Sequence, residues 1–299
     1  MLHIVERTLK VKGLTEPKNI VGLADMHLTL RDERDDDEYS QKLQKERSYM
    51  FPNGSRCFAE IREYINKTQP DAVMGCGDII DFPSAANLDL IDEFFNKECK
   101  NYVYALGNHD WNYPRTYNQI YNWLDNVPKF KVIKNDNPYV QVADLGEVLL
   151  VAIDNQADRV FPETVKQFKE VIKLGKPMVL CMHLPAYSPA IGEHIIHDER
   201  PDKHLLLMMG VPDERAEEVG HCKSCLLNDA TREMMEILHD PNVPIVAMMS
   251  GHVHFEFKPH DFIAEEEIIP GRWQYGLRLS APQLTPEGVV FLLHLVPEE

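Results

Sequence analysis

Five short stretches carry groups that bind metal ions or move protons. They are Asp25-Met26-His27, the run GCGDIID with Asp78 and Asp81, GNHD at 107–110, His183 before Leu184-Pro185, and GHVH with His252 and His254. Carboxylate, amide oxygen and imidazole together suit Mn, Fe or Zn better than Ca or Mg alone. Asp25, His27, Asp78, Asn108, His183, His252 and His254 are seven such groups. That is too many for one tetrahedral site, and the set predicts two ions about 3.5–4 Å apart. Asp78, a single carboxylate between two clusters, is the natural bridge. In extended backbone, residues i and i+2 point the same way. Asp25 with His27, and His252 with His254, can then each turn two donors toward one point. Gly77, Gly107 and Gly251 precede the motifs and let the chain bend tightly against a ligand.

Each stretch follows a short apolar run, and those runs are the elements that must position the donors. Residues 20–24, 72–74, 102–106, 148–153, 178–182 and 243–249 are brief, β-branched and bounded by turn residues, the pattern of buried strands. Between them lie helical patterns. Residues 55–67 put Phe58, Ile61, Tyr64 and Ile65 on one face, and residues 162–174 open on Pro162 and stop before Gly175. Asn228 or Asp229 can cap a helix that runs to about His239. Alternating strand and helix predicts an α/β layered fold, with the site at the strand ends. The last third changes character. Residues 255–257, 273–280 and 288–295 read as successive strands with little helix between them, which predicts a second, antiparallel-leaning sheet.

Composition narrows the function classes. The chain has 299 residues, 44% of them hydrophobic, enough for a sizeable core. The formal net charge of −17 disfavours nucleic acid and acidic membranes as partners. No stretch reaches the ~18–20 apolar residues that span a bilayer. The N-terminus MLHIVERTLKVKG lacks the pattern of a signal peptide. Six scattered cysteines (57, 76, 99, 181, 222, 225) fit reduced thiols and a cytoplasmic location. The run RDERDDDE at 31–38 reads as a solvated loop or helix start.

The ordered set D-x-H, G-D-x-x-D, G-N-H-D, H and G-H-x-H, spanning Asp25 to His254, resembles the calcineurin-like metallophosphoesterase superfamily. The resemblance implies an α/β fold, a four-layer α/β/β/α sandwich of two mixed sheets flanked by helices. It implies one ion held by Asp25, His27, Asp78 and His254, and another by Asp78, Asn108, His183 and His252. It implies that His109 sits beside the ions without binding them, that Asp81 pairs with His109, and that Asn108 and His109 contact the substrate phosphate. The implied activity is hydrolysis of a phosphomonoester or phosphodiester, on a small molecule or nucleotide, by a hydroxide bridging the two metal ions with His109 assisting. A non-catalytic metal-binding scaffold and a nuclease of the same superfamily are the alternatives.

The phosphoprotein phosphatase branch continues GDxVDRG and then GNHE; this chain reads GDIIDFP and GNHD, with Phe82 where an arginine would assist phosphate binding. Asp110 is expected to support the site from behind. The whole chain, 1–299, reads as one domain, with an insertion at about 186–225 as a lid or substrate-binding element. The insertion carries His194, His197, His204, His221, Arg200 and Arg215, and HCKSC with Cys222 and Cys225. One such pair falls short of the roughly four ligands of a structural zinc. Segment 111–123 reads as a helix packed on the sheet, with Trp111 or Tyr113 near enough to GNHD to line the pocket.

Overall fold

Strand formation follows the apolar runs, because a run with no polar face is satisfied only where both faces are covered. A computed structural model describes residues 2–112, 123, 125–155, 159–194, 208–218, 227–253, 263–277 and 288–298. The runs become β2 (Lys18–Leu23), β3 (Ala72–Cys76), β4 (Tyr102–Ala105), β6 (Leu149–Ile153), β7 (Met178–Cys181) and β8 (Ile245–Ser250). Five further strands join them: β1 (His3–Val11), β5 (Val140–Asp144), β9 (Ile263–Ile269), β10 (Arg272–Leu277) and β11 (Val289–Pro297).

The strands make two mixed sheets. One has the order β1-β11-β2-β3-β4, and the other β5-β6-β7-β8-β10-β9. Strands β2, β3 and β4 run parallel, as do β6, β7, β8 and β10, so the ends of these strands gather at one edge. The last third does not build a sheet of its own. Strand β11 inserts into the first sheet between β1 and β2, while β10 extends the second sheet in parallel to β8. The β9–β10 and β11–β2 pairs are antiparallel, while β11 runs parallel to β1. Strand β10 thus lies between β8 and its sequence neighbour β9, whereas β11 leaves β10 for a place between β1 and β2 in the other sheet. Residues 255–257 and 278–280 lie outside the described residues.

Helices cover the outer faces. They are α1 (Glu38–Met50), α2 (Gly54–Thr68), α3 (Ala85–Glu93), α4 (Pro162–Ile172), α5 (Pro189–His194), α6 (Asp213–Glu218) and α7 (Asp229–His239). Asn228 caps α7, its side chain accepting from the Thr231 amide at 2.7 Å. Three apolar clusters define the layers. Ile20, Met74 and Phe291 of the first sheet meet Val179, Ala247 and Met249 of the second in the centre. Val21 and Val73, on the opposite face, pack on Phe58 and Ile61 of α2 and on Ile91 of α3. Leu149 and Leu180 pack on Phe168 of α4 and Met234 of α7. The result is the four-layer α/β/β/α sandwich.

The acidic run 31–38 is a loop with one short 3-10 turn, and it leads into α1 with Asp37 as its N-cap. Both of its arginines are paired, Arg34 with Asp32 and, outside the run, Asp89, and Arg31 with Asp36. No helix among the described residues is long and apolar enough to cross a membrane. Cys57, Cys76, Cys99 and Cys181 are free. Cys222 and Cys225 lie outside the described residues, as do His197, Arg200, His204 and His221.

Candidate active site

Five strand ends converge where the two sheets meet. Behind β3, the peptide of Asp78 lies against Gly107 so closely that a Cβ there would overlap the Asp78 side chain and amide. The Asp110 carboxylate ties these two loops together. Its Oδ2 accepts from the amides of Gly107 (2.7 Å) and Asp78 (3.0 Å), and its Oδ1 from the Ile80 amide and the Tyr104 hydroxyl, both at 3.0 Å. Burial, with the charge of Asp78, pushes this carboxyl up to about 7. Asp25 joins the first loop to the last, both its oxygens accepting from the His252 amide at 3.0 Å.

The backbone here is strained. Among the described residues, seven non-glycine residues have positive φ, and four of them are Asp25 (54°), His27 (46°), Asp78 (53°) and His252 (70°). The extended geometry expected for Asp25-Met26-His27 is therefore not what forms. Strand β2 ends at Leu23, and both donors sit in left-handed backbone beyond it. Hydrogen bonds hold this bend, with the amides of Asp25 and His27 donating to the carbonyls of Gly77 and Asp78.

The donor atoms meet in two groups that share Asp78: His27, Asp78 and His109, and Asp78, His183 and His252, each with ligand atoms within 4.8 Å of one another. The second group is the tighter. His183 Nδ1 faces the Cys76 carbonyl at 3.0 Å and must donate to it, which leaves Nε2 to face the cluster. That nitrogen lies 3.3 Å from Asp78 Oδ2, 3.1 Å from Asn108 Oδ1 and 3.0 Å from His252 Nδ1. Atoms of these types lie this close only with a proton or a cation between them. The titration of the cluster reflects this. Burial disfavours a charged His183, yet the carboxylates of Asp78 and Asp25 override it and lift the ring to about 9. Asp78, for its part, is held well below the usual carboxylate range; its burial is outweighed by His183, His109 and His27. By donor chemistry this group fits a metal ion.

Asp81, fully buried, serves two histidines. Its Oδ1 accepts from His27 Nδ1 at 2.8 Å and lies 3.3 Å from His109 Nδ1. The bond to His27 fixes the ring with its Nε2 unprotonated and turned toward Asp78 Oδ2, 3.9 Å away. Burial opposes the charge of Asp81, but Arg47, His109 and His27 hold its carboxyl far below the ordinary range. Burial likewise opposes a charged His109, which Asp78 and Asp81 nonetheless raise. The His109 side chain is 28% exposed and opens to solvent.

Most of the residues singled out in the sequence come together: Asp25, His27, Asp78, Asp81, Asn108, His109, His183 and His252. His254 lies outside the described residues. Two aromatic expectations fare differently. Trp111 is 2% exposed and packs in the outer core beside α2, so it does not line the pocket; Tyr113 lies outside the described residues. Three contributors escaped sequence reading. Arg47 of α1 forks onto Asp81, and Phe51, just past the end of α1, stacks on His27 with ring centroids 4.1 Å apart and planes within 9°. Asn155, past β6, accepts from the amides of His183 and Leu184 at 3.1 Å and donates to the Leu184 carbonyl. Nothing in the residue type or spacing of these three marks them out.

The profile of the calcineurin-like phosphoesterase family matches residues 18–256. Among solved structures, a dimetal phosphatase from Danio rerio aligns over 87% of this chain and 86% of its own at 11% identity, with a TM-score of 0.44. A purple acid phosphatase from yellow lupin seeds aligns over 90% of this chain and 45% of its own at 12% identity and a TM-score of 0.49. A 5′-nucleotidase precursor from Thermus thermophilus aligns over 88% of this chain and 48% of its own at 14% identity and a TM-score of 0.40. No curated protein matches the chain in sequence.

Proposed function

This chain belongs to the calcineurin-like phosphoesterase family and is a phosphoric ester hydrolase, and on that premise we propose a two-metal phosphoesterase acting on small phosphorylated molecules or nucleotides. Asp25, His27, Asp78 and His254 would hold one ion, and Asp78, Asn108, His183 and His252 the other. Mn, Fe or Zn suits these donors. Bound there, two such ions supply what the side chains lack: they lower the pKa of water and neutralise phosphoryl oxygens. The convergence of Asp78 Oδ2, Asn108 Oδ1 and His252 Nδ1 on His183 Nε2, at 3.0–3.3 Å, is the observation that carries this reading.

The protein's own groups then divide the remaining work. His109, on the open side, hydrogen-bonds a phosphoryl oxygen and delivers a proton to the leaving alkoxide, while Asp81 orients it. Asn108 presents its amide to the substrate phosphate as well as to an ion. Asp110 and Asp25 hold the loops in register through backbone amides, so the donors need little reorganisation during turnover. We read the chain as one domain in the cytoplasm, with residues 186–225 as a substrate-binding element. The start of that element is tied to its middle, where the Tyr187 amide donates to the Met209 carbonyl at 2.7 Å and the Met209 amide to the Pro185 carbonyl at 2.8 Å.

The test is metal content together with hydrolysis of p-nitrophenyl phosphate, its bis-ester and a cyclic nucleotide. About two equivalents of metal and turnover that a chelator abolishes are the expected results. Preference for the bis-ester would assign a phosphodiesterase, and preference for the monoester a phosphatase. Less than one equivalent after reconstitution, with none of the three hydrolysed, would leave a scaffold. The His109→Ala protein should lose turnover by about 10²–10⁴-fold and keep its metal; loss of both ions in that variant would overturn its role.

A further inference from the structure

Phe82 follows Asp81 in sequence and is fully buried, so it cannot reach a substrate. A cation comes to this place from elsewhere. Helix α1 lays Arg47 along the site, with its guanidinium over the Phe51 ring at 5.0 Å, and Phe51 in turn covers His27. Nε of Arg47 donates to Asp81 Oδ2 at 2.5 Å and Nη2 to Asp81 Oδ1 at 2.7 Å, a two-pronged ion pair. The same Nη2 lies 3.4 Å from His109 Nδ1. The rings of His109 and His27 meet edge to face, with centroids 4.8 Å apart.

We propose that Arg47 is a positioning residue for His109, holding the Asp81 carboxylate in the one orientation that engages Nδ1 of the ring and leaves Nε2 for the substrate. This rests on the phosphoesterase reading of the site. Three features favour positioning over direct capture of phosphate. Both prongs of the guanidinium are occupied by Asp81, so the pair offers little net charge to an anion. Nη1 turns away toward Met50 Sδ at 3.3 Å. The Arg47 side chain is 16% exposed, whereas His109 beside it is 28% exposed and faces outward. The Asp81 carboxylate, 3.3 Å from His109 Nδ1, can only accept, so Nδ1 donates to the oxygen that Arg47 holds in place and Nε2 is left for the substrate. Without Arg47, the buried Asp81 would keep only His27 and His109 as partners and could turn from one to the other. Lysine cannot reproduce the fork, because it offers a point charge.

The experiment is a double-mutant cycle in the metal-loaded protein together with the crystal structure of Arg47→Ala. In the cycle, Arg47→Ala is expected to lower kcat by about 10–100-fold and to change KM by less than about threefold, with metal content near that of the parent and a lower melting temperature, since the buried Asp81 loses its ion pair. In the His109→Ala background the same change should cost less than about twofold, since the two act as one unit. Arg47→Lys should fall between. Equal losses in both backgrounds, or a rise in KM with kcat unchanged, would make Arg47 a phosphate contact and overturn the proposal. In the crystal structure, Asp81 or His109 is expected to leave its position; both side chains unmoved would overturn it as well. That readout needs no turnover. If the parent hydrolyses no phosphate ester, the functional reading fails while the role of Arg47 is still decided by the structure.

Discussion

Asp110→Asn isolates what one buried carboxylate does for the site. The wild-type side chain accepts four hydrogen bonds, two on each oxygen: Gly107 and Asp78 amides on Oδ2, and the Ile80 amide and Tyr104 hydroxyl on Oδ1. Asparagine keeps the shape but turns one oxygen into a donor. With its NH2 at the Oδ2 position, two backbone amides that can only donate would be left buried and unpaired, about 2–6 kcal/mol. With its NH2 at the Oδ1 position, the Tyr104 hydroxyl rotates to accept and only the Ile80 amide is stranded, about 1–3 kcal/mol. The variant therefore adopts the second arrangement and loses about 1–3 kcal/mol. Asp110→Ala strands all four donors and should cost at least twice as much. Urea unfolding of the metal-free proteins measures both. Because the Ile80 amide belongs to the loop that carries Asp78 and Asp81, metal content of Asp110→Asn should fall together with stability. Equal stability of Asp110→Asn and the parent, or an alanine variant more stable than the asparagine one, would refute this accounting.

Two further substitutions test the frame around the site. Gly107→Ala drives a Cβ into the side chain and amide of Asp78, so the loop after β3 must move. Metal affinity is expected to fall by about 10–100-fold, and a normal metal titration would show that the close approach is dispensable. Arg272 is 2% exposed and donates to the backbone carbonyls of Leu238, Asp240, Val243 and Ile245, which close the connection from α7 to β8. Arg272→Met should destabilise by at least about 3 kcal/mol in urea with kcat of the folded fraction unchanged; a loss under ~1 kcal/mol would mean that water replaces the guanidinium.

The central strands and three of the helices were readable because their signals are local. A run such as Val148–Ile153 has no polar face to expose, and Pro162 and Asn228 mark helix starts by their own backbone chemistry. Strand order is not local. Whether β11 pairs with β10 or slips between β1 and β2 depends on which open edge the folded sheets present, and the alternation of Val289–Pro297 fits either partner. Strand β1 went unread for a related reason: as an edge strand it is mostly exposed or half-exposed, and its pattern is weak. At the site, the donors were legible as motifs, whereas Arg47, Phe51 and Asn155 became visible only once α1 and β6 were folded against the strand ends. An arginine on a helix twenty residues past Asp-x-His resembles any solvated arginine until Asp81 lies across from it.

The left-handed backbone at Asp25, His27, Asp78 and His252 accounts for the remaining mismatch between motif and geometry. Each such residue costs of order 1–3 kcal/mol, and persists only where its surroundings over-determine it. Those surroundings are present: Asp78 and His252 donate their amides to Asp110 and Asp25, while the amides of Asp25 and His27 donate to the next loop. Asp and His are also among the few side chains that tolerate positive φ. One residue type thus meets two demands at each position, bending the chain and supplying a donor. An extended Asp-x-His would have aimed its two side chains along one face of a strand. The bend instead turns His27 against Asp81 and Phe51, and leaves Asp25 accepting from His252 on the far sheet. The strain is what joins the two sheets' donors into one centre.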